Sequence, residues 1–129
     1  MMGIHEECGV IGVFAPGSAD VASMVFGGLF ALQHRGQESC GVVVNDDGVF
    51  ASHKGLGLVG EVLTPEVLAR LPRGSMAVGH VRYGTTGARV RANCQPIEVN
   101  HRKGRMARPH NGNLSNADEL RCALELAGA

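Results

Sequence analysis

The chain has 129 residues, of which 44% are hydrophobic, and this suits a single soluble globular domain with a substantial core. Twelve basic and twelve acidic residues cancel, so no overall charge draws the chain to nucleic acid or to an anionic membrane. No apolar run reaches the roughly 18 residues of a membrane span, and the N-terminus lacks the zones of a signal peptide. We therefore expect a cytoplasmic protein that binds small molecules or further copies of itself.

Hydrophobic periodicity and turn residues predict strands and helices separated by frequent turns. In chain order, the prediction is a strand at 8–15, a helix from about 20 to 34, strands at 40–45 and 49–54, a loop at 55–60, a short helix from Thr64-Pro65 to Leu71, a strand at 75–83, a turn at 84–87, strands at 95–100 and 105–110, and a helix at 117–127. The strongest local signal is Asn45-Asp46-Asp47-Gly48, which is typical of a tight β-hairpin.

The stretch His110-Asn111-Gly112-Asn113 directly follows a strand-like run and offers two kinds of hydrogen-bond donor. An acyl-transfer enzyme needs donors aimed at the oxygen that becomes negative in the tetrahedral intermediate. An Asn side chain and a Gly backbone N–H form such a pair. Asn111 and Gly112 are therefore candidate oxyanion donors for a nucleophile elsewhere in the chain, and Cys8 is the best candidate.

The four cysteines, at positions 8, 40, 94 and 122, show no C-x-x-C pairing and no close histidine spacing, so we expect no metal site built from them. Cys40 and Cys122 are predicted to be small buried hydrophobic residues. Cys8 differs because only seven residues precede it. If these were removed, the free α-amino group, a class with a reference pKa of about 8, could act as the base for the thiol of the same residue.

Two arginines are candidates for binding a substrate. Arg82, at the end of a predicted strand, could hold a carboxylate by two parallel hydrogen bonds, with the Thr85 hydroxyl beside it. The alternative for Arg82 is a surface salt bridge. Arg35 follows the first long helix, and its alternative role is to hold a loop together by donating to backbone carbonyls.

Five blocks of the sequence resemble, in the same order, the amino-terminal glutaminase domain of the glutamine phosphoribosylpyrophosphate amidotransferases. The blocks are Glu7-Cys8-Gly9-Val10, Leu32-Gln33-His34-Arg35-Gly36-Gln37-Glu38-Ser39, Gly79-His80-Val81-Arg82-Tyr83, Asn93-Cys94-Gln95-Pro96 and His110-Asn111-Gly112-Asn113-Leu114. They nearly span the chain, so the resemblance is more specific than any single motif. The second block also favours this family over the aminosugar synthases, which share the fold.

The resemblance implies an α+β fold of the N-terminal-nucleophile hydrolase class, an αββα sandwich of antiparallel sheets that is incomplete at the C-terminus. Residues 1–7 would be a propeptide. Residues 8–129 would be the N-terminal part of a class II glutamine amidotransferase domain, without the phosphoribosyltransferase domain.

The resemblance also implies a role for each candidate residue. Cys8 would be the N-terminal nucleophile that hydrolyses glutamine to glutamate and ammonia. The glutamine α-carboxylate would be bound by Arg82 with help from Thr85, and Asn111 and Gly112 would form the oxyanion hole. Arg35 and Gly36 match the substrate-binding segment beside the nucleophile. The ammonia would react with phosphoribosyl pyrophosphate to give 5-phosphoribosylamine, in the first committed step of purine (IMP) synthesis.

Two departures from the family pattern limit these expectations. Arg108-Pro109 stands where small apolar strand residues are usual, and proline removes a ladder N–H. The chain also ends before the family's aspartate for the substrate amino group. The phosphoribosyltransferase domain, its Mg²⁺ and the iron–sulfur ligands of some members would lie in the missing part. We therefore expect a fragment that is inactive alone and homo-oligomeric when complete.

Two alternatives remain open from the sequence. The chain could be a non-catalytic glutamine-binding or interaction module. It could also be the glutaminase part of another class II amidotransferase, which the downstream acceptor domain would decide.

Overall fold

The structure, a computed structural model, describes residues 7–84, 91–112 and 114–128. Its strands are β1 (Gly9–Ala19), β2 (Ser39–Asp46), β3 (Val49–Leu56), β4 (Gly74–Arg82), β5 (Ile97–His101) and β6 (Gly104–Arg108). Its helices are α1 (Val21–Ala31), α2 (Val59–Val62), α3 (Pro65–Arg70) and α4 (Ala117–Leu126), with short 3₁₀ turns at Gln33–Arg35 and Arg91–Asn93. None of the helices in these ranges is long and apolar enough to cross a membrane.

Four strands form one antiparallel sheet in the order β1-β4-β2-β3, and β5 pairs with β6 in a second, two-stranded antiparallel sheet. The β2–β3 hairpin turns at Asp47 and Gly48, whose φ angles of 47° and 87° are both positive. Two positive φ angles match the twist of a tight hairpin, and this is why Asp-Gly suits the turn. The hairpin prediction is confirmed.

Helix α1 covers one face of the larger sheet and builds the core. It begins at Val21 and is capped by Asp20, whose Oδ1 accepts a hydrogen bond from the Ser23 N–H at 3.1 Å. Buried side chains of the helix and the sheet meet there, among them Val21, Val25, Leu29, Val42, Val44 and Val81. A side chain at Gly28 would collide with that of Ile11, so glycine allows the helix to approach β1 closely.

The β5–β6 hairpin lies on the opposite face of the larger sheet. The Glu98 carboxylate accepts a hydrogen bond from Ser52 Oγ at 2.8 Å and pairs with Lys54 Nζ at 3.0 Å. The Arg105 guanidinium stands 5.2 Å from the centre of the Phe50 ring. Two antiparallel sheets are therefore stacked, with helices on the outer face of the larger one, and the predicted α+β fold is confirmed.

The predicted loop at 55–60 is wrong, because β3 continues through Leu56 and α2 begins at Val59. A side chain distant in sequence caps the first N–H of this helix, because Gln33 Oε1 accepts the Val59 N–H at 2.6 Å. The Glu61 carboxylate accepts the Leu58 N–H at 2.9 Å. Neither contact follows from local periodicity.

The two cysteines predicted to be buried differ in the structure. Cys40 is fully buried in β2, and burial raises the pKa of its thiol to about 12. Cys122 is exposed, so that prediction is wrong. It lies on α4, in which the structure buries no residue, and a helical apolar pattern buries a side chain only where another element covers it.

Candidate active site

The thiol of Cys8 lies where the start of β1 meets the end of β4. Cys8 directly precedes β1, and Gly9 pairs with Val81 of β4, so the register places Cys8 opposite the end of β4. The Tyr83 N–H donates to Cys8 Sγ at 3.4 Å, and Sγ lies 3.9 Å from the Tyr83 carbonyl oxygen. The φ angle of Cys8 is 54°, a left-handed value that non-glycine residues adopt uncommonly. Pairing of β1 with β4 thus fixes where the sulfur lies.

Asn111 reaches the same point from the far end of the chain. Its Nδ2 donates to the Cys8 carbonyl oxygen at 3.5 Å. Asn111 follows β6 of the β5–β6 hairpin, which lies against the face of the larger sheet opposite α1. Pro109 does not disturb this hairpin, because β6 ends at Arg108 and the missing N–H falls beyond the ladder. The structure therefore brings together the two residues that sequence reasoning paired as nucleophile and oxyanion donor.

Gly112, the second candidate donor, follows Asn111 with a φ of 157°. A Cβ at this position would lie 2.9 Å from Nε2 of the His110 ring. Glycine therefore leaves room for that imidazole beside the loop. Its role as an oxyanion donor stays a prediction.

Arg35 contacts the nucleophile segment through backbone oxygens. Its Nε donates to the Cys8 carbonyl at 2.8 Å, and its Nη2 donates to the Glu7 carbonyl at 3.5 Å. This is the second of its two predicted roles, holding a loop through carbonyl groups. Gly36 lies against β4, where a Cβ would stand 2.6 Å from the carbonyl carbon of Arg82. Any side chain there would push the segment away from the strand end.

Arg82 pairs with a carboxylate of the protein itself. Its Nη1 lies 3.2 Å from Glu38 Oε1, and the two side chains are 14% and 12% exposed. A surface salt bridge was the alternative for Arg82, but this pair is mostly buried. Thr85, its predicted helper, and residues 1–6 of the predicted propeptide lie outside the described residues.

His80 contributes to the site although no role was assigned to it from the sequence. It is fully buried on β4, and its Nε2 lies 3.0 Å from the His110 carbonyl oxygen. Burial lowers the pKa of His80 to about 4, with a further lowering from the Arg82 charge. The imidazole is therefore neutral at physiological pH. Period-2 alternation along β4 places His80 and Arg82 on one face, and this signal was available in the sequence.

Two further residues of the site lacked an assigned role. Glu38 orients Arg82, and Gln95 Oε1 accepts the His110 N–H at 2.6 Å. Both stand inside the sequence blocks of the family resemblance. Their partners lie 44 and 15 residues away, so spacing along the chain could not identify the contacts.

Comparison with known proteins gives a consistent result. The chain is 52% identical over 120 residues to the amidophosphoribosyltransferase of Synechococcus elongatus, covering 93% of this chain and 24% of that protein. A solved structure of the allosteric regulatory enzyme of purine biosynthesis superposes with a TM-score of 0.80 at 40% identity, covering 93% of this chain and 25% of that one. The glutamine phosphoribosylpyrophosphate amidotransferase of B. subtilis, complexed with ADP and GMP, gives 0.76 at 39% identity over the same shares. No family model matches the chain.

The matched region is nearly all of this chain and about a quarter of each relative. Both solved structures have the N-terminal-nucleophile hydrolase class of fold that the sequence blocks implied. The blocks, the stacked antiparallel sheets and the juxtaposition of Cys8 with Asn111 agree with these comparisons. In sequence and in fold, the chain belongs to the amidophosphoribosyltransferase family, of which it matches about one quarter.

Proposed function

We propose that this chain forms the glutamine-hydrolysing part of an amidophosphoribosyltransferase. Cys8 attacks the side-chain amide carbon of glutamine, ammonia leaves, and a γ-glutamyl thioester forms on the sulfur. Water then cleaves the thioester to glutamate and the free thiol. The ammonia displaces pyrophosphate from phosphoribosyl pyrophosphate, and the product is 5-phosphoribosylamine.

The observation that carries the proposal is the approach of the Asn111 amide to Cys8, at 3.5 Å from its carbonyl oxygen. The negative oxygen of a tetrahedral intermediate develops one bond away from the carbon that the sulfur attacks, so its donors must stand beside the nucleophile. The Asn111 side chain and the Gly112 N–H supply these donors. The Tyr83 N–H orients the sulfur.

Activation of the nucleophile requires removal of the residues that precede it. Within an intact chain the nitrogen of Cys8 is an amide, which cannot accept the thiol proton. Cleavage after Glu7 exposes an α-amino group that can act as the base. Arg35 holds the Cys8 carbonyl at 2.8 Å and so supports the new terminus.

Substrate binding is assigned to Arg82 and Thr85, which hold the glutamine α-carboxylate, with Arg35 and Gly36 forming the adjacent wall. The proposal includes a phosphoribosyltransferase partner domain, assembly into a homo-oligomer and a cytoplasmic location. Mg²⁺ and any iron–sulfur cluster would belong to the partner domain, and no step assigned to this chain uses them.

A chimera tests the proposal, in which this chain replaces the matching quarter of the Synechococcus elongatus relative. Phosphoribosylamine formation is measured with glutamine and, separately, with ammonia as the nitrogen source. We expect the chimera to use both, and Cys8→Ala to abolish only the glutamine-dependent reaction, because free ammonia bypasses the thiol. The matched control is Cys122→Ala, which removes an exposed cysteine on α4 and should change neither activity. Undiminished glutamine use by Cys8→Ala would refute the proposal.

A further inference from the structure

His80 is buried at a place where an ionisable side chain is unusual. It lies on the face of β4 that carries the β5–β6 hairpin, between Val10 of β1 and Gly41 of β2, and it has no exposed surface. Burying a polar ring is unfavourable unless its hydrogen bonds are made. The contacts of its two nitrogens therefore indicate what the ring does.

Those contacts fix one tautomer of the imidazole. A carbonyl oxygen only accepts hydrogen bonds, so the 3.0 Å contact with the His110 carbonyl requires a proton on Nε2. Nδ1 is then unprotonated in the neutral ring, and it is buried without a hydrogen-bond partner among the residues that the structure describes. The neutral state follows from burial, which lowers the pKa of His80. The ring thus acts through one donor aimed at one acceptor.

The acceptor belongs to the segment that carries the oxyanion donors. This segment lies beyond β6, which ends at Arg108, so no strand pairing described for β6 holds it. On one side of His110, its N–H donates to Gln95 Oε1 at 2.6 Å. On the other side, its carbonyl accepts from His80. The next residue is Asn111, whose amide reaches Cys8.

We propose that His80 is a positioning residue, which fixes the His110 carbonyl and thereby holds Asn111 and Gly112 in place as oxyanion donors. The inference rests on the proposed glutaminase function. His80 touches neither the nucleophile nor the substrate in this account. Because oxyanion donors act only in the transition state, loosening them lowers kcat and leaves substrate binding nearly unchanged.

Two amide substitutions in the same chimera separate this role from a general structural one. In His80→Gln, the amide nitrogen reaches about as far as Nε2 and can still donate to the His110 carbonyl. In His80→Asn, the chain is one methylene shorter and the donor falls short. Both variants place a neutral amide in the same buried position, so they are matched in polarity.

We expect His80→Asn to lower the glutamine-dependent kcat by about tenfold or more, with the KM for glutamine within about threefold, since small displacements of catalytic groups lower rates steeply. His80→Gln should recover most of the kcat. Ammonia-dependent synthesis should persist in both variants. His101→Asn, on the exposed strand β5, serves as the control and should change nothing.

Three outcomes would overturn the inference. The first is a glutamine-dependent kcat for His80→Asn that stays within about twofold of the unsubstituted chimera. The second is a kcat for His80→Gln that is as low as that for His80→Asn. The third is an effect of His80→Asn on the KM for glutamine in place of kcat, or an equal loss of the ammonia-dependent activity. Failure of the proposed function would look different. In that case the unsubstituted chimera would not use glutamine, although it used ammonia.

Discussion

The Arg82 guanidinium and the Glu38 carboxylate lie 3.2 Å apart in a largely buried pair, and the same two residues are joined through the backbone, where the Glu38 N–H donates to the Arg82 carbonyl at 3.0 Å. The backbone contact fixes Glu38 beside the end of β4, and the ion pair then orients the Arg82 side chain. Arg82 follows His80 on the same face of β4 and immediately precedes Tyr83, which contacts the Cys8 sulfur. A carboxylate bound by Arg82 would therefore lie close to the nucleophile.

Removal of this cation should weaken glutamine binding selectively. We expect Arg82→Ala to raise the KM for glutamine by roughly ten- to a hundredfold, because a charged hydrogen-bonded pair is worth ~1.5–3 kcal/mol. Glu38→Gln should raise the KM by a smaller factor, since Arg82 remains but loses its ionic partner. Steady-state kinetics on the chimera, with glutamine and with ammonia, provide the measurement. Equal loss of both activities would indicate a folding role for the pair.

Loss of the side-chain oxyanion donor should act on turnover instead. We expect Asn111→Ala to lower the glutamine-dependent kcat by about a hundredfold or more with a modest change in KM, as removal of one such donor does in other enzymes. Asn111→Asp is a matched variant that keeps the size and replaces the donor with an acceptor, so it should be at least as impaired. A tenfold rise in KM with normal kcat would instead assign Asn111 to substrate binding.

The buried His80 makes the fold sensitive to mild acid. Its pKa is about 4 in the folded chain, against 6.5 for an ordinary histidine, so between these values the unfolded chain binds a proton that the folded chain does not. The His80 contribution to folding stability is therefore fully present above pH 6.5 and is lost progressively as the pH falls from 6.5 to about 4. From about pH 7 to about pH 5.5 the expected loss is ~1.2 kcal/mol, or about eightfold in the opening equilibrium.

Hydrogen exchange of β4 amides in the chimera measures this loss, once the intrinsic rates are corrected for pH. The His80→Gln variant should lack the His80 contribution and show a flatter profile. The carboxyls of Asp20 and Glu98 also have lowered pKa values, but they lose their stabilising contribution only near and below their ordinary values of 3.8 and 4.5. Identical pH profiles for the two proteins would contradict the expectation.

The exposed apolar side of α4 should make this chain self-associate when it is expressed alone. Leu120 is 44% exposed and Leu124, one helical turn later on the same face, is 58% exposed, and exposed apolar surface of this kind recruits other chains. We expect the double substitution Leu120→Gln and Leu124→Gln to raise the monomer fraction in sedimentation velocity. The charge-neutral pair Arg121→Gln and Glu125→Gln on the same helix is the control. A chain that is monomeric without substitution would contradict this prediction.

Local patterns in the sequence predicted the elements that depend on local forces. The turn at Asp47 and Gly48 follows from the Asn45-Asp46-Asp47-Gly48 signal, and the start of α3 follows from Thr64-Pro65, since Thr64 caps the helix and Pro65 is its first residue. Helix α2 could not be predicted in this way, because its first N–H is bound by Gln33, 26 residues earlier in the chain. The exposure of Cys122 was missed because an amphipathic pattern shows which side of a helix is apolar but not whether another element covers that side.

In the candidate site, too, some residues could be predicted from the sequence and others could not. Chemical type and family resemblance selected Cys8, Arg82 and Asn111, and the structure gathers all three around the end of β4. The contacts of the surrounding residues, such as Glu38 with Arg82 and His80 with the His110 carbonyl, are recognised only in the structure, because a sequence does not state which acceptor a buried donor will meet. Arg35 is intermediate, since donation to carbonyls was one of its two predicted roles.

Covalent labelling of the chimera tests the central claim, that Cys8 is an N-terminal nucleophile for glutamine, most directly. The reagent is a glutamine analogue with an electrophilic group in place of its amide, and intact mass with peptide mapping identifies the labelled residue. The account predicts a chain that begins at Cys8, one adduct on that residue, and protection by glutamine, while the exposed Cys122 stays unlabelled. A chain that retains residues 1–7 and is active, or an adduct on Cys122 in place of Cys8, would contradict it.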